Sequence, residues 1–242
     1  MKLLSFDIEI SDVFELGKYE NMEKYAPFHM SVGATAIHKG EERMWYSDDE
    51  EGRPALNLTQ ESAHDLLEYL SEKQQQGFMV CAWNGLGFDL KWIGYQSDDM
   101  ALAARIALKI YDPMFQFFNQ AGFPVALAKV AEGMGIPQMK LMDGADAPKQ
   151  WRAGNYQEVM DYCLSDCQMT NHIVRAIQQA RQVRWVTGRG HISSQPMSRL
   201  KSVEEVIRDP GPDQSWMDNP LPKTKFYEWV EEATGRKTWV KI

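Results

Sequence analysis

The sequence predicts an α/β domain with a mixed β-sheet that is flanked by helices, followed by a C-terminal extension. Two observations predict this class. Three strand-like segments follow one another near the N-terminus, and segments with helical spacing of apolar residues then alternate with a further buried strand. A meander followed by alternating helices and strands is typical of a sheet whose first three strands are antiparallel and whose later strands are parallel.

The first 46 residues predict the meander. Lys2–Ile10 is rich in apolar and aromatic residues and reads as a strand. Met30–His38 and Glu42–Tyr46 read as two more strands, and the Lys39-Gly40 turn joins them. The polar residues between the first and second strands are expected to be irregular.

Helices surround the next predicted strand. Thr59 is a suitable N-cap for a helix that runs to about Gln75, because Ser, Thr, Asp and Asn favour that position. The apolar run Phe78–Trp83 predicts a short buried strand. Apolar spacing then predicts helices over Phe88–Tyr95 and Asp98–Leu108.

The second half of the body is predicted to be mostly helical. Lys109–Tyr111 is expected to be a short strand that ends at Asp112-Pro113, because proline cannot continue a ladder. Val125–Met134 predicts a short helix closed by Gly135, and residues 136–154 predict a loop. Asn155 is expected to cap a long helix towards Val183, and a helix interrupted near Leu164-Ser165 is the alternative.

The last part of the chain is predicted to be an extension on the body. Residues 1–181 form the predicted main domain and residues 182–242 the extension. Thr187–Pro222 is rich in Gly, Ser and Pro and is expected to be extended, with a helix near Lys223–Thr234. The extension is expected to pack against the body because it carries large apolar side chains that water would solvate poorly: Trp185, Trp216, Phe226, Trp229 and Trp239.

The charge distribution bears on the partner class. The net charge is -8, from 34 acidic and 26 basic residues. By itself this balance argues against a nucleic-acid partner, which is held mainly by Lys and Arg. Residues 1–180 carry 26 acidic and 15 basic residues, whereas residues 181–242 carry 8 and 11. Two interpretations stay open: a solvated acidic face, or an acidic metal site followed by a mildly basic arm.

The cellular compartment is predicted from cysteine content and the N-terminus. Three cysteines without framework spacing predict a reducing compartment, and no secretory signal is visible. The longest apolar run is far short of the ~20 residues that span a bilayer. A cytoplasmic protein with no membrane partner is therefore expected.

Two carboxylates lie on the first predicted strand. Asp7 and Glu9 are two residues apart, so their side chains emerge on the same face. An apolar strand accepts such a pair only where a cation or hydrogen bonds compensate the charge. A third carboxylate, Asp89, follows the next buried strand through Asn84-Gly85-Leu86-Gly87-Phe88. Its place near a helix N-terminus also fits a purely structural role.

A fourth carboxylate lies on the late helix. Tyr162 and Asp166 are four residues apart and share one helix face, although a core tyrosine beside a surface aspartate has the same spacing. Four acids on a strand, after a second strand and on a helix together favour a site for two divalent cations. Carboxylate oxygens are the ligands that Mg²⁺ and Mn²⁺ prefer, and two such ions clamp both oxygens of a phosphodiester displacement.

These motifs resemble those of the DEDD family of 3′→5′ exonucleases, which have a ribonuclease H-like fold. Phe6-Asp7-Ile8-Glu9 is similar to its first motif and residues 84–89 to its second. Tyr162-Cys163-Leu164-Ser165-Asp166 is similar to the third motif of the tyrosine branch. The pattern resembles the proofreading domains of B-family DNA polymerases, expected here as a stand-alone domain, and covers about residues 1–181.

The resemblance implies roles for individual residues. Asp7, Glu9 and Asp166 would hold the metal that activates water, and Asp7 would also reach a second metal, on which Asp89 acts. Tyr162 would orient the attacking water, because a tyrosine with a pKa near ~10 is a poor base at neutral pH. Asn84 would support a neighbouring ligand or contact substrate.

Further residues are candidates for substrate contact. Four arginines surround Trp185 in the sequence, and they form either a solvated helix end or a phosphate and base-stacking site: Arg175, Arg181, Arg184 and Arg189. The expected substrate-binding residues are Asn84, Phe88, Arg184, Trp185 and Arg189.

Two other metal sites are disfavoured. Cys163 and Cys167 have helical spacing, but zinc requires four ligands in a specific arrangement, so packing is the expected role of both cysteines. Asp143 and Asp146 lie in a glycine-containing segment that lacks the full calcium-loop spacing, so a loop at the rim of the site is expected.

The expected function is a 3′→5′ exonuclease with two divalent ions, Mg²⁺ or Mn²⁺. Its expected partner is single-stranded nucleic acid, with DNA favoured over RNA. The alternative is a catalytically weak ribonuclease H-like module that binds nucleic acid or recruits partners.

Overall fold

A four-stranded mixed sheet forms the centre of the fold. The computed structural model describes residues 1–15, 17, 20–137 and 142–235. The strand order is β3-β2-β1-β4, in which β1 pairs antiparallel with β2 and parallel with β4, and β2 pairs antiparallel with β3. The predicted mixed sheet is confirmed. The strands are β1 (Leu3–Ile10), β2 (Met30–Ile37), β3 (Glu42–Trp45) and β4 (Met79–Cys81).

Helices cover both faces of this sheet, and a separate hairpin follows the longest helix. The helices are α1 (Gln60–Gln75), α2 (Asp89–Ser97), α3 (Met100–Lys109), α4 (Pro113–Ala121), α5 (Leu127–Met134), α6 (Ala147–Arg152), α7 (Tyr156–Ala180), α8 (Val203–Arg208) and α9 (Glu228–Thr234). The hairpin consists of β5 (Gln182–Val186) and β6 (Ile192–Pro196). Within the described ranges, no helix is long and apolar enough to cross a membrane.

Helix α1 forms as its sequence predicts. The Thr59 side chain accepts a hydrogen bond from the Ser62 N–H, which satisfies one of the free donors at the helix start. Its apolar side chains point into the main hydrophobic cluster: Ala63, Leu66, Leu67 and Leu70. Burial of this stripe holds α1 against the sheet.

Helix α7 lies across β1 and β2 and is held there by three polar contacts. The Cys163 thiol donates to the Asp7 carbonyl at 3.4 Å, and the Cys167 thiol to the Ala34 carbonyl at 3.4 Å. One turn further on, the Asn171 amide donates to the Ala36 carbonyl at 2.9 Å. The two cysteines are therefore packing residues with free thiols, as expected.

The predicted strand over Lys109–Tyr111 is wrong. Helix α3 continues to Lys109, and Tyr111 makes only an isolated parallel bridge with Cys81. The Asp112-Pro113 pair starts helix α4 instead: the Asp112 carboxylate accepts the Phe115 N–H at 3.0 Å, and Pro113 occupies the first turn. Proline is favourable there because the first helical N–H groups lack partners in any case.

Two further boundaries differ from the prediction. Ala147–Arg152 is a helix within the predicted loop, because Trp151 is fully buried and its indole N–H donates to the Ala55 carbonyl. The Asn155 side chain does not cap α7, since its amide donates to Gln150. Helix α7 runs without interruption to Ala180 and ends at a left-handed Arg181, so Val183 belongs to β5.

The C-terminal segment contains more regular structure than its composition predicts. Strand β6 and helix α8 interrupt the predicted extended region, because Ser202 and Glu205 form a capping box in front of an apolar turn. Among its described residues, seven side chains join the main hydrophobic cluster: Val203, Val206, Ile207, Phe226, Tyr227, Trp229 and Val230. Trp239 lies outside the described residues, and a domain boundary at residue 181 stays a prediction.

Candidate active site

Strand β1 presents two carboxylates on one face. Asp7 and Glu9 are half-buried, whereas the side chains between and beside them, Phe6, Ile8 and Ile10, are buried. Because side chains alternate along a strand, the apolar residues anchor β1 while both acids remain accessible to a ligand.

Asp89 is brought to the same place by the Asp89 loop, residues 84–88, which connects β4 to α2. Asp89 is the first residue of α2 and only 3% exposed. Burial raises the pKa of its carboxyl group, and the nearby backbone N–H of Ile8 lowers that pKa in part. The third acid therefore lies beside the strand that carries the first two.

Asp112 is a residue of this site that sequence reasoning missed. Its buried carboxylate accepts the backbone N–H groups of Asn84 at 3.2 Å and Leu86 at 3.0 Å, in addition to capping α4. The negative charge of Asp112 also raises the pKa of Asp89. The sequence signal was the Asp-Pro pair, which marks a helix start as well as a strand end.

Helix α7 supplies Tyr162 and Asp166. The thiol of Cys163 contacts the Asp7 carbonyl, so this turn of α7 faces β1. Burial raises the pKa of Asp166 to about 6, and the nearby Tyr162 hydroxyl lowers that pKa in part. The Tyr162 hydroxyl lies close to Gly144, where an added Cβ would stand 3.1 Å from the oxygen.

The four carboxylates act on one another electrostatically. Burial raises the pKa of Asp7 well above its usual range, and the charges of Asp89, Asp166 and Glu9 raise it further. Burial and the charges of Asp166 and Asp89 likewise raise the pKa of Glu9 well above its usual range. Burial raises the pKa of Asp89 to about 8. The structure thus gathers the four predicted acids into one region of strongly negative potential.

A cleft of about 710 Å³ opens beside these acids. Glu9 and Phe88 line it on the side of the carboxylates, and Gly144 lines it next to Tyr162. The remaining wall is largely apolar and includes Val13, Phe14, Met22 and Pro148, with Asp12, Glu15, Asp146 and Lys149 among its polar residues. This volume and lining are typical of a small-ligand site.

Comparison with known proteins identifies the family. The model of the RNase_H superfamily matches residues 32–178, which is more than half of the chain. The chain belongs to the RNase_H superfamily. The matched residues include Asp89, Tyr162 and Asp166 but begin after Asp7 and Glu9. No curated protein sequence matches the chain.

A solved structure agrees with this superfamily assignment at the level of the fold. The family B DNA polymerase from the hyperthermophilic archaeon Pyrobaculum calidifontis is similar with a TM-score of 0.50 and 16% sequence identity. The match covers 73% of this chain and 24% of the polymerase, so the chain spans about a quarter of that protein. Membership of the RNase_H superfamily supports a nuclease that processes nucleic acid.

The chemistry of the donor set fits the divalent cations that RNase_H superfamily nucleases typically use. Burial is the largest cause of the raised pKa of each of Asp7, Glu9, Asp89 and Asp166, and neighbouring carboxylates add to it for the first three, so their charged forms are not fully compensated. Hard oxygen donors with uncompensated charge suit Mg²⁺ or Mn²⁺. In the parts of the chain that the structure describes, however, no three His, Cys, Asp or Glu side chains are grouped as a ready-made metal site.

The predicted substrate-binding residues fall into two groups. Asn84 and Phe88 belong to the Asp89 loop, and Phe88 lines the cleft. Arg184, Trp185 and Arg189 belong to the β5–β6 hairpin. Trp185 is buried edge-on against Phe117 at 4.9 Å, which leaves little of its ring for a base, whereas Arg189 is exposed in the turn.

Proposed function

We propose that this protein is a metal-dependent 3′→5′ exonuclease of the tyrosine branch of the DEDD family. The observation that carries the proposal is the meeting of four carboxylates with raised pKa values and Tyr162 beside an open cleft. The direction of cleavage rests on the resemblance of the three sequence motifs, all of which contribute a residue to this region.

In this proposal the four acids bind the metal ions, whereas Tyr162 orients water or phosphate. Asp7, Glu9, Asp89 and Asp166 would hold Mg²⁺ or Mn²⁺, which when bound lowers the pKa of water and stabilises charge on the phosphodiester. Burial and the charges of Asp166, Glu9 and Asp7 raise the pKa of Tyr162 far above its usual range. Its phenol therefore stays protonated and acts as a hydrogen-bond donor that orients water or phosphate, not as a base.

The cleft supports a single-stranded end as the substrate. Phe14 and Phe88 offer apolar surface to an unpaired base, whereas Asp12, Glu15 and Asp146 disfavour a second phosphate backbone there. A base held in a duplex cannot enter such a cleft without leaving its partner. The preference for DNA over RNA rests on the fold similarity to a DNA polymerase.

A direct test uses oligonucleotides labelled at the 5′ end, as single-stranded DNA or RNA, with free or blocked 3′ ends. With Mg²⁺ or Mn²⁺, a ladder of products shortened from the 3′ end is expected from the free end only. The matched variant Asp7→Asn preserves the size of the side chain and should abolish the ladder. If no product forms with either metal and Asp7→Asn equals the wild type, the exonuclease proposal is wrong.

A second candidate function is a catalytically weak module that binds nucleic acid. The absence of a preformed group of metal ligands among the described residues favours it. Fluorescence anisotropy distinguishes the two. A binding module would retain its affinity for a labelled single strand in Asp7→Asn and would show no cleavage in any variant.

A further inference from the structure

The residue types of the Asp89 loop allow its backbone many conformations. It contains Gly85 and Gly87, and Asn84 adopts a left-handed conformation with φ of 66°. Glycine loses more conformational freedom on folding than any other residue, so contacts from outside must hold this loop in one shape. Its conformation decides where Asp89 lies.

One set of contacts comes from inside the body. The Asp112 carboxylate accepts the N–H groups of Asn84 and Leu86, and it is held in turn by the start of α4. Hydrogen bonds to a buried charged acceptor are stronger than those between neutral groups.

The second set comes from the C-terminal segment. The indole N–H of Trp229 donates to the carbonyl of Leu86 at 2.8 Å, and Trp229 is only 4% exposed. The ring of Phe226 packs against Gly87 so closely that an added Cβ there would lie 3.1 Å from it. Phe226 is itself fixed by Phe115 and Phe118, with ring centroids 5.4 and 4.6 Å away.

Both backbone polar groups of Leu86 are thus hydrogen-bonded. Its N–H is bonded to Asp112 and its carbonyl to Trp229. We propose that Trp229 is a positioning residue for Asp89. The C-terminal segment therefore helps to form the candidate active site. The effect on cleavage rests on the proposed nuclease function. The placement of Asp89 by these contacts does not depend on it.

Trp229→Phe tests the proposal because it removes the N–H donor and keeps an aromatic ring. The kcat for single-stranded DNA should fall roughly tenfold, as is typical when a partner that orients a metal ligand is lost. KM should stay within about twofold, because Trp229 does not line the cleft. Hydrogen–deuterium exchange should become faster at Leu86, Phe88 and Leu90, whose N–H groups are bonded within this region.

The matched control is Trp45→Phe. Trp45 is also buried, at 5% exposed, and its indole N–H also donates a hydrogen bond, here to the hydroxyl of Thr35 at 3.2 Å, on the strands away from the Asp89 loop. This variant should lower the melting temperature by a similar amount without changing kcat or the exchange of residues 84–90. A milder second variant, Phe226→Leu, should have the same effects as Trp229→Phe in smaller degree.

The outcomes separate this proposal from the proposed function. Unchanged exchange of residues 84–90 in Trp229→Phe, or a kcat loss equal to that in Trp45→Phe, overturns the positioning role. If the wild type cleaves no nucleic acid, the nuclease proposal fails, and the exchange measurement alone then decides the role of Trp229.

Discussion

The backbone N–H of Ile8 lies close enough to the carboxylate of Asp89 to lower the pKa of that acid. Ile8 lies between Asp7 and Glu9, so this contact places the third acid beside the first two. This contact between Ile8 and Asp89 can form because the parallel pairing of β1 with β4 ends at Ser5 and Cys81, which leaves this part of the β1 edge open. A carboxylate then takes a place that a neighbouring strand would otherwise occupy.

The raised pKa values predict how the stability of the metal-free protein depends on pH. Asp89, with a pKa of about 8, and Asp166, with a pKa of about 6, bind protons more tightly in the folded than in the unfolded state. Their favourable contribution is complete below the unfolded pKa of about 4 and is lost as the pH rises through the folded values. The melting temperature in chelator should therefore decrease from about pH 5 to about pH 8.

Mg²⁺ or Mn²⁺ should reverse this loss, because a ligand that binds the folded state alone stabilises it. Each kcal/mol regained corresponds to about 2–4 °C in a protein of this size. Circular dichroism with and without metal measures the effect, and Asp89→Asn should show a smaller pH dependence. A metal-free protein that is more stable at about pH 8 than at about pH 5 contradicts the assignment.

Tyr162→Phe should slow cleavage while metal binding is preserved. The phenol is held protonated by burial and by the surrounding acids, so its contribution is one donated hydrogen bond. Removal of such a donor typically costs about 10²-fold in rate. Isothermal titration should give metal affinity close to that of the wild type, and a large loss of affinity would show that Tyr162 organises the ligands instead.

Gly144→Ala should displace the Tyr162 side chain. An added Cβ would lie 3.1 Å from the phenol oxygen, closer than most contacts of this kind. We expect a several-fold lower cleavage rate, with a change in unfolding free energy within about 0.5 kcal/mol. Gly188→Ala is the matched control, since nothing lies within 4 Å of its added Cβ. Equal rates for the two variants would exclude a close contact at Tyr162.

Deletion of Thr187–Ile242 should prevent cooperative folding of the body. The deletion removes seven side chains from the main hydrophobic cluster, and each large one costs about 2–5 kcal/mol when it is lost. The summed loss for seven side chains exceeds the total free energy of unfolding of a typical domain, about 5–15 kcal/mol. Val230→Ala, at a residue that is 0% exposed, should cost about 2 kcal/mol in a denaturant titration. A truncated protein with an unchanged melting temperature would show that the segment is a separate arm.

The strands and the long helices follow from the sequence because their patterns are local. Strand β1 alternates its acids with buried side chains, and α1 has both a capping residue and an apolar stripe. The weaker predictions concern short segments. Helix α6 exists because Trp151 is buried against other elements, and no local pattern reveals such a contact.

The sequence by itself determined which residue types the site contains. Asp7, Glu9, Asp89, Tyr162 and Asp166 stand out from their motif spacing, and strand and helix periodicity places each pair on one face. Only the tertiary structure decided how they meet and what holds them. Asp112 and Trp229 bond to the two sides of Leu86 from 26 and 143 residues away, and such long-range contacts depend on packing that no local pattern encodes.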